Sequence, residues 1–434
     1  MELQKDYYQK LEKIFIGSEL DIWQISEKDL INSEEIKKLS ILFPKWYDLV
    51  KKGIEQNRNE AFRTLRHTFH TLYNYFSIIN NQFEKNIDKK NILLLKNQLR
   101  ELYEFQPLYF PLILLYHDLS RPFNRTWHTI ESEKLIREHH FLDRFNLSKS
   151  IQKLILTSIK HHLLIGTIFT GESSYYGSIA LYSDLIDGDK QISNHYIQIL
   201  FQTLKFFTFI DIWGYYYSQI YNHYFDYYDK ICVNLTEVFT TCFKFEKEGT
   251  QKNYLEKSLF RLDTQNLKWR IACSLRIFQF ITVKPYLTKD FYYSKIEEGL
   301  ALIGKNWEQF QKSLGENHSR IQFKYTLPLM MVLSMKEFRR EPIDESITVQ
   351  DDIFSFWSAC SQTVRKFISK HPDSKSNLFY YVFDFPRSWF FNSEYREKIK
   401  KNVIKILSSA KFSFDSTLSD YIVNINLEKM NKKF

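Results

Sequence analysis

Apolar side chains recur along most of this chain at steps of three and four residues, which is the spacing of one face of an α-helix. The clearest stripe consists of Phe62, Leu65, Phe69, Leu72, Phe76 and Ile79. Similar stripes run from Ile151 to Ile159 and from Ile197 to Thr208, and we find no strand-like alternation of comparable length. With 11 glycines and 9 prolines in 434 residues, the chain also has few of the residues that tight turns need. The sequence therefore predicts an all-α fold.

Composition narrows the class of protein further. No uncharged run approaches the roughly 18 residues of a membrane span, and the N-terminus lacks the basic and apolar regions of a signal peptide. The four cysteines form no CxxC pair, so neither a zinc knuckle nor a disulfide framework is indicated. The formal charge of +9 permits anionic ligands but does not by itself indicate nucleic acid. We expect a cytoplasmic protein with no membrane contact.

Two polar segments suggest where the chain divides. The stretch 244–253 is polar and contains Gly249, and a shorter polar stretch covers residues 55–60. We therefore expect a helical N-terminal extension over 1–60, a site-bearing domain over 61–243 and a C-terminal helical domain over 254–434. The last of these contains a helical stripe from Leu300 to Phe310 and the aromatic segment Phe379–Phe391, for which we expect packing rather than chemistry.

Polar residues that the apolar stripes do not explain are concentrated in the middle domain. At 100° per residue, His70 lies at the edge of the stripe of the first long helix, whereas His67 is predicted to face solvent. The apolar run 107–116 ends in His117 and Asp118. A buried carboxylate costs free energy unless a cation or hydrogen bonds compensate it. A hydrogen-bonded helix-flank histidine or a solvent-facing helix end remains an alternative for each residue alone.

Two further helices repeat this pattern. His162 falls on the stripe of a helix predicted over Lys149 to Leu164, with His161 at its flank. Asp211 lies on the stripe of a helix predicted over Tyr196 to Tyr215, where an aspartate needs a metal, an arginine or a helix N-terminus. One shared cation site explains these residues together. Imidazole and carboxylate ligands favour a divalent transition metal (Fe, Mn, Zn, Co or Ni) over Ca, with Mg as a further candidate.

In this order, His70, His117-Asp118, His128, His161-His162 and Asp211 resemble the H…HD…D pattern of the HD-domain metal-dependent phosphohydrolase superfamily. The segments LYHDLSRP, TWHTIESEKL, IKHHLL and FTFIDIWG are most similar to the HD domain of the PII uridylyltransferase and uridylyl-removing enzymes, over about residues 63–217. In place of that family's HD-x-G-K, the chain has His117-Asp118-Leu119-Ser120-Arg121, which keeps the charge at the fifth position. The resemblance implies an HD-type helical bundle over 61–243.

The resemblance also implies roles for these residues. One metal would be held by His70, His117, Asp118 and Asp211, and a second by His128, His161 and His162, with Asp118 bridging the two. Asp118 and Arg121 would be the catalytic residues, because a metal-bound hydroxide attacks phosphorus while Arg121 clamps a phosphate oxygen. Arg125 and Lys160 are weaker candidates for binding the substrate phosphate. We expect His139 and His140 to be structural, although these two or His67 could replace one of the named ligands.

The expected function is hydrolysis of a phosphomonoester or phosphodiester with one or two metal ions per chain. The substrate would be a nucleotide or another phosphorylated small molecule, or a nucleotidylated protein. Two alternatives stay open: a non-catalytic HD-fold binding module with a structural metal site, and a nuclease acting on RNA or DNA, which the net charge permits without favouring.

Overall fold

The first 259 residues are almost entirely helical in a computed structural model of the chain. The structure describes residues 2–259 apart from 19, 85–86, 126, 170–173, 187–191, 216–219 and 221, and beyond them 262, 321–324, 351–384, 402, 405–416 and 420–426. The helices of this part are α1 (Glu2–Phe15), α2 (Glu27–Asn32), α3 (Glu34–Leu42), α4 (Pro44–Gln56), α5 (Arg58–Ile79), α6 (Lys89–Phe105), α7 (Tyr109–Tyr116), α8 (His128–Glu138), α9 (Lys149–Lys160), α10 (Leu164–Phe169), α11 (Ser174–Ile186), α12 (Asn194–Trp213) and α13 (Asn222–Cys242).

The chain forms two compact units. The first comprises residues 1–165 and 184–243, and the second comprises residues 166–183 and 244–434. Residues 1–60, which the sequence sets apart as an extension, lie within the first unit together with α5. Residues 243–247 separate α13 from a helical stretch over 248–259, close to the polar segment that the sequence marks as a division.

Helix α5 lies at the centre of the first unit. It packs against α1, α4, α6, α7 and α12, and its N-cap Asn57 accepts a hydrogen bond from the backbone N–H of Glu60. Because neighbours surround it, α5 buries its polar residues as well as its apolar stripe: His67, Thr71 and Asn74 are all 1% exposed or less. The amide of Asn74 donates to the carbonyl oxygen of Trp213, which ties α5 to the end of α12.

The C-terminal ends of two helices bring histidines to the site region of this unit. The wholly buried α7 ends at Tyr116, so His117 is its C-cap residue. Ser148 caps the N-terminus of α9, which ends at Lys160 rather than continuing to Leu164 as the sequence predicts. His161 and His162 therefore lie in the turn that follows α9, and not on its apolar face.

The described residues are mostly helical, in agreement with the all-α prediction, but the second unit also contains a small sheet that the sequence did not predict. The strands are β1 (Ile321–Lys324), β2 (Phe379–Asp384), β3 (Lys411–Asp415) and β4 (Asp420–Asn426), in the order β1-β2-β4-β3. Strand β4 pairs in parallel with β2 and antiparallel with β3. A buried parallel strand such as FYYVFD is apolar without alternation, and this removes the period-two signal. The predicted C-terminal helical domain over 254–434 is thus a mixed unit.

One face of the sheet packs against helix α14 (Asp351–Lys370). The ring of Phe367 stacks on Phe412 with centroids 4.1 Å apart, and it also contacts Tyr421 edge-on. The hydroxyl of Tyr381 donates to the carbonyl oxygen of Cys360 on the same helix. The segment Phe379–Phe391 therefore has a packing role over its described part, whereas residues 385–391 and the predicted stripe 300–310 lie outside the described residues.

None of the described helices combines the length and the apolar character that a membrane span requires.

The first testable consequence concerns Asp420, which is 7% exposed at the start of β4. Burial raises the pKa of this carboxyl to about 6, although the Leu378 N–H that it accepts opposes the shift. A carboxyl with a raised folded-state pKa stabilises the fold in its protonated form, so this contribution is lost as the pH rises through 6. Asp420→Asn should therefore raise the melting temperature at pH 7.5 more than at pH 5. The exposed Asp373→Asn is the control; an equal effect of Asp420→Asn at both pH values contradicts the assignment.

Candidate metal centre

Buried histidines and a buried aspartate converge at one place in the first unit. Two groups each place one ligand atom per residue within 4.8 Å of the others: His67, His117 and Asp118, and Asp118, His128 and His162. All of these residues are buried. Since Asp118 belongs to both groups, the two form one continuous cluster.

The five members of the cluster come from four places in the first unit. Helix α5 supplies His67, and the end of α7 supplies His117 and Asp118. His128 is the first residue of α8, and His162 follows the end of α9. The cluster therefore forms only when α5, α7, α8 and α9 pack around one point.

Hydrogen bonds to the main chain fix the orientation of three of the imidazoles. Nδ1 of His117 donates to the carbonyl oxygen of Leu114 at 2.9 Å. Nδ1 of His128 donates to the carbonyl oxygen of Arg125 at 2.9 Å, and Nδ1 of His162 donates to the carbonyl oxygen of Ile159 at 2.7 Å. Because a carbonyl oxygen can only accept, the ring proton of each histidine is on Nδ1. Nε2 is then the atom left to bind a ligand.

Burial keeps two of these rings neutral. It lowers the pKa of His117 below its ordinary value, and the nearby carboxylates of Asp118 and Asp211 oppose this shift. Burial also lowers the pKa of His162, to about 3. A neutral ring with its proton on Nδ1 has a lone pair on Nε2, which is the form of histidine that binds a metal.

Several polar atoms at the centre of the cluster remain unsatisfied. Nε2 of His117, Nε2 of His128 and Oδ1 of Asp118 are buried and make no hydrogen bond to any residue that the structure describes. Nε2 of His128 lies 3.2 Å from Asp118 Oδ1 without forming a hydrogen bond. Buried polar atoms rarely lack partners. A bound cation would satisfy these atoms together, so the residues fit a metal ion.

Asp211 faces the same cluster from α12. Its Oδ1 accepts a hydrogen bond from Nε2 of His67 at 2.8 Å and lies 3.5 Å from Nε2 of His117. Although burial opposes ionisation, His67 and His117 hold the pKa of Asp211 below its usual range. Asp211 therefore lies beside both His67 and His117, although it belongs to neither ligand group.

Asp118 is held by an arginine. Burial opposes its ionisation, but the Arg121 guanidinium and the neighbouring imidazoles keep its pKa well below the usual range. Arg121 donates through Nη1 to Asp118 Oδ2 at 2.8 Å and through Nε to Glu60 Oε1 at 2.8 Å. The same Nη1 lies 2.9 Å from the hydroxyl of Tyr215. Arg121 is thus engaged with protein groups, whereas a phosphate clamp requires its donors for substrate.

The end of α12 packs tightly against His67. The ring of Tyr215 stacks on the imidazole of His67 with centroids 4.0 Å apart. A Cβ at Gly214 would overlap the methyl group of Thr71 and lie 2.7 Å from the His67 ring. Glycine at position 214 therefore allows the close approach of α12 to α5 that keeps His67 in the cluster.

The sequence prediction for the first histidine needs correction. His67 was expected to face solvent, yet it is 1% exposed and belongs to the cluster. His70, which was expected to be the ligand, accepts a hydrogen bond from Trp23 Nε1 at 3.0 Å and is in neither ligand group. The angular prediction assumed a single buried face, but α5 is buried on its polar face as well. The spacing of His67, Thr71 and Asn74 along one helical face is the signal that could have identified it.

Other predicted residues lie away from the two groups. His161 pairs through Nε2 with Asp184 Oδ2 at 2.6 Å, and Lys160 pairs with Oδ1 of the same aspartate at 2.7 Å. Arg125 is exposed, and its carbonyl oxygen accepts the hydrogen bond from His128. His139 and His140 are exposed at the end of α8, in agreement with a position outside the site. Sequence reasoning did not find Glu60, Gly214 or Tyr215.

Comparison with known proteins identifies no relative of this chain. Neither protein-family models, nor curated proteins, nor solved structures give a match to the chain.

The placement of the two histidines on α5 can be tested with a matched pair of variants. His67→Ala should lower the affinity for a divalent transition metal by at least about tenfold, because changes at and around metal ligands typically have effects of this size or larger. His70→Ala, three residues along the same helix, should leave the affinity unchanged. Calorimetric titration of metal-stripped protein with Mn²⁺ measures both. A loss of affinity in His70→Ala with none in His67→Ala would restore the original ligand assignment.

Proposed function

We propose that this protein is a metal-dependent phosphohydrolase that cleaves a phosphomonoester or phosphodiester. The observation that carries the proposal is the convergence of three Nδ1-anchored imidazoles and two aspartates on one buried point, with Nε2 of His117 and His128 and Oδ1 of Asp118 lacking hydrogen bonds to described residues. Such a set is suited to a divalent metal and poorly suited to a purely structural polar core, because buried polar groups without partners are costly.

Two groups of residues would hold metal. The first is His67, His117 and Asp118, with Asp211 beside them, and the second is Asp118, His128 and His162. Asp118 is common to both groups, and a carboxylate has two oxygens with which to serve them. The mixture of imidazole and carboxylate favours Fe, Mn, Zn, Co or Ni, with one or two ions per chain.

The chemistry of the reaction would be divided between metal and protein. A bound divalent metal polarises a phosphoryl oxygen and lowers the pKa of a water molecule, which makes hydrolysis at neutral pH feasible. The protein's own groups keep the ligands in the required protonation state: His117 and His162 neutral, and Asp118 and Asp211 ionised. Arg121 holds Asp118 in place through Oδ2.

A second arginine, Arg63, lies beside the cluster and is more exposed than Arg121. The guanidinium of Arg63 lies 5.7 Å from the centre of the Tyr215 ring, which in turn stacks on His67. Its side chain is 35% exposed, against 14% for Arg121. Arginine binds phosphate oxygens in a bidentate manner. We assign phosphate contact to Arg63, and we take the substrate to be a nucleotide, another phosphorylated small molecule or a nucleotidylated protein, as the HD-like motifs imply.

One observation favours a second candidate function, a non-catalytic module with a structural metal. Asp118 Oδ2 is already bound to Arg121, whose side chain is in turn held by Glu60. A carboxylate with one oxygen occupied in this way leaves less room for substrate at a second metal. The two candidates bind metal alike but differ in turnover.

Metal content and hydrolysis together test the proposal. Protein expressed with added Fe and Mn should contain one or two metal ions per chain and hydrolyse members of a panel of phosphomonoesters and phosphodiesters. Asp211→Asn should weaken metal binding by at least about tenfold and abolish hydrolysis, because it removes a charge beside His67 and His117.

Asp184→Asn is the matched control, since Asp184 also accepts a hydrogen bond from a histidine but lies outside both ligand groups. It should leave metal content unchanged. Metal binding without turnover on every substrate would favour the non-catalytic module. Metal-free protein after supplementation would overturn both candidates.

A further inference from the structure

A chain of charged contacts leads from the metal cluster to the beginning of α5. Asp118 Oδ2 accepts a hydrogen bond from Nη1 of Arg121, and Glu60 Oε1 accepts one from Nε of the same guanidinium, both at 2.8 Å. The side chains of Arg121 and Glu60 are only 14% and 13% exposed. A buried guanidinium between two carboxylates is well compensated, and its geometry is correspondingly fixed.

This arrangement fixes Asp118 by one of its oxygens: Oδ2, which also lies 3.7 Å from Nε2 of His117, accepts from Arg121. With Oδ2 held by Arg121, the other oxygen, Oδ1, lies 3.2 Å from Nε2 of His128 and makes no hydrogen bond to a described residue. Arg121 therefore orients the one carboxylate that both ligand groups share.

The arginine also carries a charge that opposes a bound cation. A guanidinium in hydrogen-bond contact with a ligand carboxylate repels a divalent metal at that carboxylate, and low solvent exposure limits the screening of this repulsion. Glu60 supplies a compensating negative charge on the side of Arg121 that carries Nε. Its second oxygen lies 3.7 Å from Nη1 of Arg63, so the same carboxylate also faces the arginine assigned to substrate phosphate.

The position of Glu60 in its helix makes this contact notable. Glu60 lies three residues after the N-cap Asn57, where a glutamate commonly turns back to the N-cap backbone N–H to complete a capping box. Here its carboxylate accepts from Arg121, 61 residues away in the sequence. The contact joins α5 to the turn after α7.

We propose that Glu60 is a positioning residue of the metal centre, which acts through Arg121 by holding its guanidinium on Asp118 Oδ2 and offsetting its charge. The inference rests on the proposed function, because it concerns the affinity of the same cluster for its metal. Glu60 belongs to neither ligand group, so any effect it has on metal binding is transmitted by its neighbour.

Titration of metal-stripped protein with Mn²⁺ tests this role without using activity. Glu60→Gln should lower the affinity about tenfold, the lower end of the effects typical of residues that support metal ligands. Glu27→Gln is the matched control, because Glu27 also pairs with an arginine of α5, Arg58 at 2.8 Å, on an exposed surface. It should leave the affinity unchanged. Glu60→Asp keeps the charge and should retain more affinity than Glu60→Gln, and thermal unfolding of the apo-proteins checks that all variants fold.

A double-mutant cycle decides whether the effect passes through Arg121. In an Arg121→Met background, Glu60→Gln should no longer change the affinity for Mn²⁺. An equal loss in both backgrounds would overturn the proposal, since Glu60 would then act independently of Arg121. Unchanged affinity in Glu60→Gln alone would also overturn it while leaving the proposed function intact. Failure of the wild-type protein to bind Mn²⁺, Fe²⁺ or Zn²⁺ would instead overturn the proposed function and this inference with it.

Discussion

The candidate metal centre depends on a hydrogen bond that occurs three times in the first unit. His117, His128 and His162 each donate Nδ1–H to the carbonyl oxygen three residues earlier in the chain, that of Leu114, Arg125 or Ile159. Each bond is local, so the orientation of each ring is set by the turn or helix end that carries it. Packing of the helices then brings the three Nε2 atoms together around Asp118. The orientation of each imidazole thus depends on residues close to it in the sequence, whereas the approach of the three rings to one another depends on the packing of the helices.

The difference between local hydrogen bonds and long-range packing explains which site residues the sequence predicts. His117 and Asp118 could be identified from the apolar run before them, and Asp211 from its apolar helix, because local patterns report burial. His67 was missed because the prediction assumed a single buried face of α5, whereas the end of α12, with Gly214 and Tyr215 more than 140 residues away, covers the polar face as well. Glu60 was missed because its partner Arg121 is distant in the sequence. The parallel strand β2 was missed because a uniformly apolar run does not distinguish strand from helix.

The contacts of Arg121 are a feature of the site that the sequence does not report. The sequence indicates a positive charge three residues after Asp118 but gives no partner for it. The structure gives it three, in Asp118, Glu60 and Tyr215, so its donors support the ligands. Two of these partners link separate parts of the centre, because Tyr215 stacks on His67 while Asp118 is shared by both ligand groups. The arginine thereby couples the geometry of α5, α7 and α12 at the metal site.

The central claim is that the anchored imidazoles and Asp118 form a metal site. Diffraction from crystals grown with Zn²⁺ or Fe²⁺, measured at the absorption edge of that metal, tests it most directly. The account predicts an anomalous peak about 2.0 to 2.2 Å from Nε2 of His117 or His128 and from an oxygen of Asp118, with Nδ1 of each ring still on its carbonyl. A peak elsewhere on the chain with none at Asp118, or rings turned so that Nε2 faces the main chain, would contradict it.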